Sequence, residues 1–211
     1  MENISAIRTD YHKQSLDERD ACKLPQDQFK KWFDEAVHAD VIEVNAMTLA
    51  TVDSHGFPSA RIVLLKGIEE EGLIFYTNYD SKKGIDISEN PNVAIVFFWK
   101  ELERQVRVRG RVEKLNTEES DKYFKSRPFE SKIGAMASPQ SKIISKQNLE
   151  TNFQNLKEEF KDHEIVRPNN WGGYVVKPVE WEFWQGRPGR LHDRLRYSFK
   201  DSIWLMERLA P

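Results

Sequence analysis

One cysteine, Cys22, in 211 residues leaves no partner for an intrachain disulfide, and no second cysteine or histidine stands near it at metal-ligand spacing. That argues against a zinc site on it and for a reducing, cytoplasmic setting. A surplus of positive charge is lacking too. With 32 basic and 34 acidic side chains the net charge is −2, so no global field exists to hold nucleic acid or an anionic membrane, and any anion site has to be local. The longest apolar run, 93–99, is far too short to span a bilayer, and the polar first eleven residues carry no signal-peptide core. There is no internal repeat and no low-complexity tract. No strand pattern runs through a Gly-rich turn into a helix, which disfavours a Rossmann fold.

What is present is enough chain for one domain with a real core and a cofactor cavity. Residues 1–24 are dense in charge and poor in apolar side chains, and read as a mobile arm ahead of a single domain over 25–211. From Pro25, the apolar Phe29, Trp32, Phe33, Ala36 and Val37 recur at helical spacing, predicting a helix that ends near Asp40. Strand patterns follow at 46–52, 59–66, 73–77, 93–99 and 105–115. Short helices are expected at 82–89 and 117–126, the latter with Thr117 as N-cap. A longer helix over 145–161 carries Leu149, Phe153, Leu156 and Phe160 on one face, and strands return at 173–184, 194–199 and 202–208. Many short antiparallel strands with helices at their edges predict an α+β fold built on a closed or nearly closed β-barrel.

No metal cluster or triad spacing stands out among the five histidines. Chemistry is carried instead by basic residues on strands. Alternation over 105–112 puts Gln105, Arg107, Arg109 and Arg111 on one face and the valines on the other; the arginines read as a stripe paired with carboxylates, while the Gln105 amide suits the edge of a polar ring. In RIVLLK, 61–66, two cations bracket an apolar strand, and strict alternation sends Arg61 and Lys66 to opposite faces. The run Asp80-Ser81-Lys82-Lys83-Gly84 opens a helix and could gather N–H groups and ammoniums on a phosphate. Tyr123, Arg127 and Ser131 recur at four-residue spacing, with Pro128 breaking the helix before Ser131. The densest constellation is 184–194. There a Gly/Pro turn is followed by Arg190, His192 and Arg194 on one side of an expected strand, beside Trp184: an anion-and-ring site or a charged hairpin end.

Taken together, RIVLLK, FYTN at 75–78, SKKG at 81–84, LERQVRV at 102–108, YFKSRP at 123–128, SPQS at 138–141, WGGY at 171–174, and EFWQG with RLHDR over 182–194 resemble the pyridoxine/pyridoxamine 5′-phosphate oxidase family, in the family's order and over roughly 8–211. The resemblance implies an FMN-binding split β-barrel, antiparallel with peripheral helices, working as a homodimer with FMN at the subunit interface. It implies oxidation of pyridoxamine and pyridoxine 5′-phosphates to pyridoxal 5′-phosphate, with O₂ as acceptor and hydrogen peroxide as by-product. By the same resemblance FMN is held by Arg61, Ile62, Val63, Leu64, Leu65, Lys66, Tyr76, Thr77, Lys82, Lys83, Gln105, Gln140, Ser141, Trp184 and Arg194. Substrate meets Lys66, Tyr123, Arg127, Ser131, Arg190 and His192, with Arg8 and Tyr11 on a mobile lid, so the arm is expected to close on substrate. Arg190 and His192 are the catalytic pair, Arg190 polarising the substrate and His192 orienting it. Two positions depart from the family pattern: Lys82 stands where many members have Arg, keeping the charge and losing the bidentate fork, and Glu43 stands where an Asp is common.

Two other classes compete. A split-barrel relative that binds flavin or haem without oxidase activity would not require Tyr123, Arg127, Arg190 and His192. An RNA-binding barrel stacking bases on Trp99, Trp181 and Trp184 would want a basic balance.

Overall fold

Alternation dominates the chain. In the computed structural model, which describes residues 3–6 and 10–211, it produces an antiparallel sheet with helices inserted between strands. After a 3₁₀ turn at Ile4–Ala6, α1 runs Pro25–His38, followed by β1 at Ala46–Val52, β2 at Pro58–Leu64, β3 at Gly67–Glu69 and β4 at Gly72–Asn78. Then come α2 at Lys82–Glu89, β5 at Asn92–Trp99, β6 at Arg104–Lys114, α3 at Thr117–Ser126 and α4 at Phe129–Ala137. Last are α5 at Lys146–Glu159, β7 at Trp171–Gln185, β8 at Asp193–Lys200 and β9 at Ile203–Arg208. The hydrogen-bonded order is β2-β1-β5-β6-β7-β4-β3, with β8 on β7 and β9 on β8. Among the described residues no helix is long and apolar enough to cross a membrane.

The expected elements are present with shifts of one or two residues at most ends, and some details differ. The N-cap of α3 is Asn116, not Thr117: its side chain accepts from the Glu119 N–H at 2.8 Å, and Thr117 is the first helical residue. Pro128 does end α3, but the fixed φ of proline also suits a helix start, and α4 begins one residue later. Short strand β3 went unforeseen because three residues give no periodicity to read.

The chain forms two compact units, Met1–Leu49 with Ala94–Gly110 and Pro178–Pro211, and Ala50–Val93 with Arg111–Lys177. In the first, Phe29 of α1 packs 5.0 Å from Phe97 and 5.2 Å from Trp181, and Trp32 meets Phe183 edge-on at 5.4 Å. All five rings are buried. Arg104 is buried beside them because its charge is answered on every side. It stacks on Trp32 at 4.3 Å, donates to Gln185 Oε1 at 2.9 Å, pairs with Glu35, and donates to Gln14.

In the second unit β4 pairs antiparallel with β3 and with the start of β7, placing Phe75 opposite Tyr174 and Tyr76 opposite Gly173. Every residue of β4 except Tyr76 is buried, which is why its sequence reads as a nearly unbroken apolar run. Phe124, Ile133, Ile165 and Trp171 form a core under α3, α4 and α5, with Phe153, Leu156 and Phe160 packed against it as the helical spacing predicts.

Candidate active site

In the second unit a cavity of about 560 Å³ opens between β2, β4, α2 and α3. One end of it is cationic. Ser81 caps α2: its hydroxyl accepts from the Gly84 N–H at 3.3 Å and donates to the Asn78 carbonyl at 2.6 Å. Glycine is required at 84, since a Cβ there would lie 2.1 Å from the Tyr79 carbonyl oxygen. Lys83 is buried and donates to Thr77 Oγ1 at 3.1 Å and Ser81 Oγ at 3.3 Å, both neutral groups; burial, with Arg61 nearby, pushes it down to about 8. Arg61 donates to Thr51 Oγ1 at 2.8 Å, and Thr51 donates in turn to the buried Asp86 at 2.7 Å. Lys82 binds Asp86 at 2.6 Å and reaches Asp53 at 3.4 Å. Burial alone would raise the Asp86 carboxyl, but hydrogen bonds from Lys82 and Thr51 outweigh it and hold it below the usual carboxylate range.

The other end is aromatic. Tyr76 stacks on Tyr123 with centroids 3.7 Å apart and lies near parallel to Trp171 at 5.7 Å. Arg127, the residue after α3, lies over Trp171 at 4.5 Å, and its Nη1 is buried without a hydrogen-bond partner. Burial also pulls its pKa below the ordinary guanidinium value, while Tyr123 opposes the shift. A desolvated guanidinium with an unused N–H is an anion site in waiting, because such a donor is costly unless something accepts from it. Ser131 on α4 lines an adjoining recess together with Arg127, Gln140 and Thr77. Gln140 sits 3.4 Å from the Thr77 hydroxyl, and Ser141 adopts a left-handed φ of 71°.

Of the residues proposed from sequence, Arg61, Ile62, Val63, Leu64, Lys66, Tyr76, Thr77, Lys82, Lys83, Tyr123, Arg127, Gln140 and Ser141 line this one cavity. Arg61 and Lys66 share it despite their odd spacing because β2 ends at Leu64 and β3 starts at Gly67, so the alternation is broken between them. Leu65 does not line the cavity; it is buried in the core.

Gln105, Trp184, Arg190, His192, Arg194 and Tyr11 belong to the first unit. Trp184 pairs across strands with Arg194, whose guanidinium donates to Glu182 at 2.9 Å and to the Ala210 carbonyl at 2.7 Å. His192 packs 4.7 Å from Trp184, and Tyr11 stands edge-on to both rings, at 5.7 Å from Trp184 and 5.8 Å from His192. The Arg187 N–H donates to His192 Nδ1 at 3.1 Å, which leaves the neutral ring its proton on Nε2. The expected strand through Arg190 is corrected. Residues Pro188–Arg190 form a 3₁₀ turn in which Gly189 and Arg190 take φ of 65° and 62°, and β8 begins only at Asp193, so Arg190 projects from a turn. Arg107 and Arg109 pair with Glu182 and Glu180, as a carboxylate-matched stripe should. Trp99 and Trp181 are fully buried and offer no face to a base. Glu43 is exposed at a left-handed φ of 48°. Arg8 lies outside the described residues.

Sequence reasoning missed Trp171, Asp86 and Thr51. Trp171 carried a signal in WGGY, whereas a lone Asp on α2 and a Thr on β1 carry none until the fold aligns them.

Two clusters of cationic side chains and a ring-lined wall thus face one cavity beside an antiparallel sheet, and comparisons with known proteins place the fold and the family. A solved structure of PhzG from Burkholderia lata, in complex with tetrahydrophenazine-1-carboxylic acid, superposes with a TM-score of 0.88 at 30% identity, covering 93% of this chain and 98% of that one. A Nostoc punctiforme protein described as pyridoxamine 5′-phosphate oxidase-related and FMN-binding shares the fold, at TM-score 0.71 and 18% identity over 87% of this chain and 97% of that one. The fold is thus the antiparallel split barrel expected from sequence. Residues 33–156 match the family described as pyridoxamine 5′-phosphate oxidase, and 171–211 match the pyridoxine 5′-phosphate oxidase C-terminal dimerisation region. Proteins named pyridoxine/pyridoxamine 5′-phosphate oxidase are 54% identical in Salinibacter ruber, over the whole of both chains, and 50% identical in Bordetella pertussis, over 99% of this chain and all of that one. The chain belongs to the pyridoxine/pyridoxamine 5′-phosphate oxidase family.

Proposed function

We propose that the cavity's two anion clusters hold two phosphates: that of FMN on Arg61, Lys82 and Lys83, and that of a B6 substrate on Arg127, Tyr123 and Ser131. Family membership makes the chain an FMN-dependent oxidoreductase of pyridoxamine and pyridoxine 5′-phosphates, with pyridoxal 5′-phosphate as product. The unpartnered, buried Nη1 of Arg127 carries the reading of the substrate site, because a flavin binder alone has no use for a second desolvated cation. The residues fit FMN on similar grounds: Lys83 is buried, and its ammonium donates only to the Thr77 and Ser81 hydroxyls among the described residues, which leaves its charge for a phosphate.

When bound, FMN would supply the acceptor for the hydride that substrate loses together with a proton, O₂ would take both electrons with two protons as hydrogen peroxide, and the amine substrate would reach the aldehyde by taking up water and releasing ammonia. The chain orients and desolvates. Tyr76, Tyr123 and Trp171 exclude water from the wall, and Arg127 fixes the phosphate. Gln105, Trp184 and Arg194 complete the cofactor site, and Arg190 and His192 address the pyridine ring, from the subunit interface of a cytoplasmic homodimer. The match of 171–211 to a dimerisation region supports that arrangement. Tyr11, beside Trp184 and His192, serves as the lid's contact on the substrate side.

The test is the visible spectrum of the purified protein. A flavin band at one FMN per chain in a dimer, bleached on anaerobic addition of pyridoxamine 5′-phosphate and restored by air with hydrogen peroxide released, is the expected result. A colourless protein that takes up no FMN, or a flavin band that substrate leaves untouched, overturns the reading.

A further inference from the structure

Tyr11 is held by machinery that the reaction itself does not use. The carboxylate of Glu103, nearly buried at 7% exposure in the turn between β5 and β6, accepts the backbone N–H groups of His12 at 2.9 Å and Lys13 at 3.0 Å through one oxygen, Oε2. Glu103 itself sits at a left-handed φ of 56°, and its carbonyl accepts the Gly186 N–H at 2.8 Å and the Gln185 side-chain amide at 3.3 Å. One residue thus grips both the strap on which Tyr11 sits and the end of β7 that carries Trp184. Gly186 completes the seat: a Cβ there would lie 2.7 Å from Tyr11 Cγ and 2.8 Å from Tyr11 Cβ, so only glycine leaves room for the ring. Further along the strap Asp193 accepts the Leu16 N–H at 3.0 Å, and Arg208 binds the Leu16 carbonyl, Glu18 and Asp193. A buried carboxylate spent on two backbone donors of a charged, apolar-poor segment is costly unless holding that segment matters.

We propose that Glu103 is a positioning residue for the substrate side of the site: with Gly186 as the seat, it fixes Tyr11 edge-on against Trp184 and His192, so that the strap is anchored from His12 onward. The inference rests on the substrate reading given above. It adds a determinant of substrate affinity that touches neither substrate nor flavin.

The experiment joins amide exchange to kinetics in the FMN-loaded enzyme. Glu103→Asn tolerates the left-handed backbone but is one methylene too short to reach the strap. It is expected to expose the His12 and Lys13 amides to exchange and to raise KM for pyridoxamine 5′-phosphate about tenfold, the scale of one charge-assisted hydrogen bond, with kcat and FMN affinity little changed. Glu103→Gln keeps an acceptor oxygen at the same reach and should restore most of the protection and of KM. Tyr11→Ala should raise KM similarly while leaving the two amides protected, and the Glu103→Asn/Tyr11→Ala double variant should be no worse than either alone. Gly186→Ala, which keeps the Glu103 carboxylate but crowds the Tyr11 ring and, at 3.1 Å, Glu103 Cβ, should repeat the KM effect if Glu103→Asn folds poorly. Unchanged exchange at residues 12 and 13, additive losses in the double variant, or a loss of FMN in place of KM would overturn the inference. A wild type with protected amides and no turnover of the phosphate would instead refute the substrate reading, so the two failures are distinguishable.

Discussion

The guanidinium of Arg127 lies 4.5 Å over the indole of Trp171 with one N–H buried and unused. The stack holds the cation in place from one side and leaves the unmet donor for a ligand. Arg127→Ala should therefore weaken recognition of the substrate phosphate while the flavin stays bound. A charge-assisted hydrogen bond is worth roughly 1.5–3 kcal/mol, so kcat/KM should fall on the order of 10- to 150-fold. The phosphorylated substrate should lose far more than its unphosphorylated analogue in steady-state kinetics, with FMN occupancy read from the same samples. Equal losses for both would move Arg127 from the phosphate site to general stability.

Lys83 gives a pH signature. Burial holds it at about 8 against an ordinary 10.5, and a phosphate alongside favours the charged form again. FMN binding at about pH 8.5 should take up a proton, visible by calorimetry in buffers of different ionisation enthalpy, and affinity should decline as pH rises through 8. Lys83→Met should abolish the uptake. For the FMN-free protein the sign is opposite. Between 8 and 10.5 the unfolded chain binds more protons than the folded one, so stability should rise with pH across that window in urea titrations.

Arg190 projects from a 3₁₀ turn at a left-handed φ of 62°. Arg190→Met is expected to lower kcat on the order of 10²-fold with FMN affinity nearly unchanged. Anaerobic stopped-flow measurement of flavin reduction checks this; a normal reduction rate would show that Arg190 takes no part in the chemistry.

Gly84 lets the start of α2 approach the Tyr79 carbonyl, where a Cβ would stand at 2.1 Å. Because the clash is with backbone, Gly84→Ala has to shift α2. It should cost ~1–3 kcal/mol in thermal unfolding and weaken FMN binding with it. Retained stability with retained FMN would mean that α2 can move without disturbing Lys82 and Lys83.

Much of this was legible in one dimension. Period-two alternation located β6, the apolar run over 93–99 located β5, the helical spacing of Phe153, Leu156 and Phe160 located α5, and ordered motifs from RIVLLK to RLHDR carried the family, because each depends only on neighbours in the chain. Only the tertiary structure decided which charges are met and which are not. Arg107, Arg109 and Arg127 look alike in sequence, yet the first two find Glu182 and Glu180 while the third keeps a buried donor free. The break between β2 and β3 that turns Arg61 and Lys66 into one cavity, and the Glu103 carboxylate that reaches 90 residues back to the Lys13 N–H, likewise arise from long-range packing, for which local pattern holds no signal.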